Sequence, residues 1–76
     1  MSEKIIKYPS PYSIFVKRVE IEKYRYSPSS PCEYKIQAYG FDYEESSEKT
    51  IFYKYVGSEA KMNAYLEQLL QDIVPV

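Results

Sequence analysis

Apolar and polar residues alternate over 32–43: Tyr34, Ile36, Ala38 and Gly40 fall on one parity, Lys35, Gln37, Tyr39, Phe41 and Tyr43 on the other. A period of two places these sets on opposite faces of a β-strand. Residues 13–26 have a strand composition too (Ile14, Phe15, Val16, Val19, Ile21, Tyr24, Tyr26), but their alternation slips. Ile14 and Val16 share one parity, Val19 and Ile21 the other. One inserted residue near Lys17 and Arg18, a β-bulge, would return all four to one face. A third strand is predicted over 49–56. Beyond it the period changes: Met62, Tyr65, Leu66, Leu69, Leu70 and Ile73 recur at helical spacing. Ser58 suits the N-cap, Glu59 suits the positive end of the helix dipole, and Pro75 is a stop.

The connections are legible from composition. Ser27-Pro28-Ser29-Ser30-Pro31 is a turn, and Glu44–Glu48 is an acidic loop. Residues 1–12 run through Lys4-Ile5-Ile6-Lys7-Tyr8 into Pro9 and Pro11, which remove backbone donors. They are expected to form an arm or a short edge strand. The predicted fold is therefore α+β: a three-stranded antiparallel meander in the order β-β-β-α over 13–76, with the helix packed on one face.

Cross-strand pairing predicts the registers. Ile21 opposite Ile36 also sets Glu22 opposite Lys35 and Val19 opposite Ala38, all favourable. In the second hairpin, Tyr43 opposite Thr50 would set Tyr53 over Gly40 and Tyr55 over Ala38, large rings above small residues. The expected core is then Ile14, Val16, Val19, Ile21, Ile36, Ile51, Tyr53, Tyr55, Met62, Leu66, Leu69 and Ile73. The face away from the helix would carry Tyr24, Tyr26, Tyr39, Phe41, Phe52 and Val56, interleaved with Glu20, Glu22, Lys35, Gln37 and Lys54.

Composition sharpens this picture. Ten Tyr and three Phe make 17% of the 76 residues, with no Trp. Tyr favours strands and carries both an apolar ring and a hydrogen-bonding tip, so the excess is first a sheet signal and second a binding signal. The net charge of −1 divides into +3 over residues 1–26 and −4 over 27–76. A near-neutral total argues against a binder that depends on many phosphate contacts. A basic strip at Lys17, Arg18, Lys23 and Arg25, with Tyr24 and Tyr26 beside it, keeps RNA or DNA binding as the alternative. Glu20 and Glu22 share that strand and weaken it.

Enzyme chemistry finds few candidates. There is no His, and the single Cys32 has neither a disulfide partner nor a base to activate it. Asp42, Glu44, Glu45 and Glu48 lack the ligand spacing of a calcium loop. No catalytic residue, metal or cofactor is expected. A lone thiol fits a reducing compartment, no 18-residue apolar run occurs, and the N-terminal segment lacks a signal-peptide core. The expectation is a cytoplasmic protein away from membranes. Ile73, Val74 and Val76 either finish the helix packing or dock on a partner. A domain this small, without disulfide or metal, gains from association. The expected function is a non-enzymatic protein-binding module, self-associating or bound to another protein. Its anchors would be Tyr24, Tyr26, Tyr39, Phe41, Phe52 and Lys54.

Overall fold

The computed structural model of the chain describes residues 2–75. Four antiparallel strands, β1 (Ser2–Lys7), β2 (Arg18–Tyr24), β3 (Glu33–Asp42) and β4 (Ser47–Val56), lie in sequential order, and helix α1 (Glu59–Leu70) follows. The class is α+β, as the periodicities predict, but the sheet has four strands rather than three. Residues 2–7 are a full member of the sheet, with Ile5 opposite Ile21 and Lys4 opposite Glu22. Pro9 and Pro11 fall beyond the end of β1, so neither removes a donor from its ladder.

The β2–β3 register is the predicted one: Val19 faces Ala38, Ile21 faces Ile36 and Glu22 faces Lys35. The β2–β3 ladder runs without a register shift from Arg18, so no bulge carries it back to residues 14–16; just outside it, the Lys17 N–H donates to the carbonyl of Tyr39, the partner of Arg18, at 2.8 Å. Residues 14–16 leave the sheet because their N–H groups all turn to the carboxylate of Asp72. Val16 still enters the core from this loop, whereas Ile14 is 72% exposed.

The β3–β4 register differs from the expected one. Asp42 pairs with Ser47, which leaves only 43–46 in the turn, and Asp42 Oδ1 accepts the N–H groups of Glu44 and Glu45. A bulge then falls at Ile51: Tyr39 faces Thr50 but Ala38 faces Phe52. Together these shift residues 52–56 by an odd number of positions, which exchanges their faces. Phe52, Lys54 and Val56 lie on the helix side, and Tyr53 and Tyr55 on the open side. Gly40 is required where the strands approach at this bulge. A Cβ there would lie 2.7 Å from the Phe15 carbonyl oxygen and 2.9 Å from Ile51 Cγ2.

Val16, Val19, Ile21, Tyr34, Ile36, Ala38, Val56, Met62 and Leu69 form the buried core, with Ile51, Phe52, Tyr65, Leu66, Leu70 and Val74 packed against it. Tyr53, Tyr55, Ile14 and Ile73 are therefore surface residues, not core. The helix begins as expected, with Ser58 Oγ accepting the Lys61 N–H at 3.2 Å. It ends before Pro75. Asp72 takes a left-handed conformation (φ 65°), while the Asp72 N–H donates to the Leu69 carbonyl and the Ile73 N–H to that of Gln68. This closes the C-terminal carbonyls in the manner usually assigned to glycine. Val76 lies outside the described residues.

Candidate functional site

The helix covers β2, β3 and β4 from one side only. Alternation along the strands therefore sends Arg18, Glu20, Glu22 and Tyr24 of β2, Lys35, Gln37, Tyr39 and Phe41 of β3, and Tyr53 and Tyr55 of β4 to the other face. Four of the six residues expected there, Tyr24, Tyr26, Tyr39 and Phe41, do lie with this face or at its ends. Phe52 and Lys54 do not. The Phe52 ring packs 5.4 Å from that of Tyr65 on α1, and Lys54 Nζ sits 4.9 Å from the same ring.

Tyr53 and Tyr55 take their place. Sequence patterning missed them because Tyr53, Lys54 and Tyr55 alternate, so either parity leaves a sensible strand. Only the length of the 43–46 turn and the Ile51 bulge decide between the two.

The aromatic residues gather at two ends. At one, Tyr24 meets Tyr26 edge-on at 5.7 Å and Tyr55 at 6.5 Å, and Tyr55 meets Tyr53 at 5.3 Å. These are the perpendicular geometries that ring quadrupoles favour. The Tyr53 and Tyr55 hydroxyls share a hydrogen bond of 2.6 Å. A shallow groove beside them is lined by Tyr24, Tyr26, Glu33, Tyr55, Val56 and Gly57. At the other end, Phe41 and Tyr43 pack edge-on at 4.9 Å, and the Arg18 guanidinium stands 4.3 Å above the Tyr39 ring.

Between the ends the charges are paired. Lys4 binds Glu20 at 2.8 Å, Arg18 bridges Glu20 and Glu48 at 3.6 and 3.1 Å, and Lys35 binds Glu22 at 3.3 Å. Gln37 donates to the Thr50 hydroxyl at 2.8 Å. The buried Nε of Arg18 has no hydrogen-bond partner among the described residues. Titration follows these contacts. The Lys4 ammonium hydrogen-bonds Glu20 and holds its carboxyl below the ordinary range, while Glu20 raises Lys4. Glu22 likewise raises Lys35. The Tyr53 phenol is pushed up, first by its hydrogen bond to Tyr55, and Tyr24 is pushed up first by burial. Both phenols stay neutral near pH 7, so their hydroxyls can donate as well as accept.

The basic residues of 17–25 do not assemble into one strip. Lys17 Nζ donates to the Ser13 carbonyl, Arg18 is held by two carboxylates, Lys23 lies on the helix-side parity opposite Tyr34, and Arg25 donates to Cys32 Sγ. In the acidic loop, Asp42 caps its own turn and pairs with Lys49 at 3.8 Å. Among the described residues no three Asp, Glu or Cys side chains converge to hold a metal ion, and no helix is long and apolar enough to cross a membrane.

Comparison with protein families, with curated proteins and with solved structures finds no match for this chain.

Proposed function

We propose that this protein is a non-enzymatic protein-binding module, an accessory subunit, regulator or inhibitor, whose contact surface is the open sheet face. One observation carries the reading. Four tyrosines, Tyr24, Tyr26, Tyr53 and Tyr55, form a connected cluster on the uncovered side, and Tyr53 and Tyr55 are 49% and 54% exposed. Rings already fixed by one another lose little side-chain entropy on binding, and their hydroxyls give direction to an otherwise apolar contact. Such residues are the usual anchors of protein interfaces. The neighbouring carboxylates and cations neutralise each other, which suits a protein surface better than a phosphate backbone.

The test is affinity capture from the native host, with and without nuclease, using wild type and the double variant Tyr53→Ala/Tyr55→Ala. A partner held through nuclease treatment should bind the variant more weakly by about 1–3 kcal/mol per ring. The melting transition should stay cooperative. Capture that vanishes with nuclease and falls steeply with salt would replace this reading with nucleic-acid binding. Unchanged affinity for the double variant would remove the tyrosine face from the function.

A further inference from the structure

The sheet has two free edges, and they are not alike. The edge formed by β4 is interrupted by the Ile51 bulge, which changes the parity of its side chains midway. Bulges of this kind blunt an edge against further pairing. The edge formed by β1 has no bulge, and its charged residues Glu3, Lys4 and Lys7 decide which pairings it allows. Its register with β2 is unbroken from Ser2 to Lys7, and Ile5 and Ile6 remain 37% and 44% exposed.

A strand that pairs antiparallel with a copy of itself obeys a strict rule. Outward-directed backbone groups alternate along the strand, so each residue must face one of its own parity. For β1, Ser2–Lys7, this leaves four centred registers with an overlap of three residues or more. Centring on Glu3 would oppose two carboxylates and pair only residues 2–4. Centring on Lys4 would oppose two ammonium groups. Centring on Ile6 would leave an overlap of only three residues, 5–7. Centring on Ile5 places Ile5 against Ile5 of the second copy, and Glu3 against Lys7 at both ends on the same face. On the other face Ile6 meets the stem of Lys4. Among the described residues Glu3 and Lys7 have no ion-pair partner within their own chain.

We infer that β1 is a self-pairing edge, at which two copies of this chain join antiparallel about Ile5 into one eight-stranded sheet. The two-fold axis stands normal to the sheet, so both helices fall on one side and both tyrosine faces on the other. This interface lies at the opposite edge from Tyr53 and Tyr55, so the two proposals fail separately. One short strand pair buries little area, and the dimer is accordingly weak and concentration-dependent.

Sedimentation equilibrium of the full chain from about 10 to about 500 µM, a span suited to an interface of small area, reads the association directly. Glu3→Lys alone would set lysine against lysine at both ends, and Lys7→Glu alone glutamate against glutamate. Each should weaken self-association by about tenfold or more, since like charges directly opposed disfavour a strand pair. The charge-swapped variant Glu3→Lys/Lys7→Glu should restore it. An equimolar mixture of the two single variants should associate where neither does alone. A purely monomeric wild type over this range would overturn the inference. So would dimerisation indifferent to both single variants, or single-variant losses that neither the swap nor the mixture repairs.

Discussion

Asp72 shows how one residue ties distant parts of a small chain together. Its left-handed backbone ends α1, and its carboxylate accepts the N–H groups of Ile14, Phe15 and Val16 at 2.7, 2.9 and 2.6 Å. Burial pushes this carboxyl upward, but the three backbone donors, helped by Lys17, outweigh it and hold the group below the ordinary range. A carboxylate whose pKa is depressed in the folded state contributes stability above its unfolded value, about 3.9, and loses it as pH falls through the folded value. Asp72→Asn keeps a residue that tolerates the left-handed region but removes the charge and one acceptor oxygen. It should cost about 1–2 kcal/mol at pH 7, because charged hydrogen bonds are the stronger ones and partial exposure lets water replace some of the loss. The gap should be narrower at an acid pH well below the unfolded value, where the wild-type group protonates, than at pH 7. Urea titrations of both proteins at the two pH values measure it, and an equal gap at both would mean the charge is not what matters. None of this was legible in the sequence. Pro75 looked like the natural stop, while the residues Asp72 serves lie more than fifty positions away.

At the scale of elements, hydrophobic pairing predicted one hairpin register and misread the other. Between β2 and β3 each pair has a single sensible solution, with Ile21 on Ile36 and opposite charges at 22 and 35. Between β3 and β4 the residues are ambiguous, because aromatic side chains occupy both parities of 51–56. The decision falls to the 43–46 turn and to the space above Gly40 that Ile51 enters, neither of which is a pattern of period two. That choice is testable by ranking two neighbours. Phe52→Ala should cost about 2–3 kcal/mol, below the fully buried range because the ring is only part-buried. Tyr53→Ala should cost about 1 kcal/mol or less, mostly an edge-on ring contact. Thermal or urea unfolding of the two variants decides it, and the reverse order would restore the register with Tyr43 opposite Thr50.

For the molecule as a whole, the α+β class and the idea of a sheet with one aromatic face uncovered were legible, because one helical stripe cannot cover two faces. The fourth strand was legible only as one of two readings. Charges and two nearby prolines left residues 2–7 open between an arm and an edge strand, and what decides for the strand is the second edge of β2, which no local pattern reports. The result is an elongated body of 45 × 22 × 20 Å with its core concentrated under α1. The strand β1 meets β2 extensively but makes no substantial contact with the helix, whereas β2, β3 and β4 all do. Local opening follows the number of apolar contacts that must be broken, so a strand held from one side opens at lower free energy than the rest. In amide hydrogen exchange on a dilute sample, the protected amides of β1 should exchange well before those at the centre of β3. Exchange in β3 should follow global unfolding. The Lys4–Glu20 pair will not close that difference, since its ammonium end lies in solvent, where water screens the attraction. Protection in β1 equal to that in β3 at low concentration would show that the sheet unfolds as one unit, with β1 as firmly held as the strands beneath the helix.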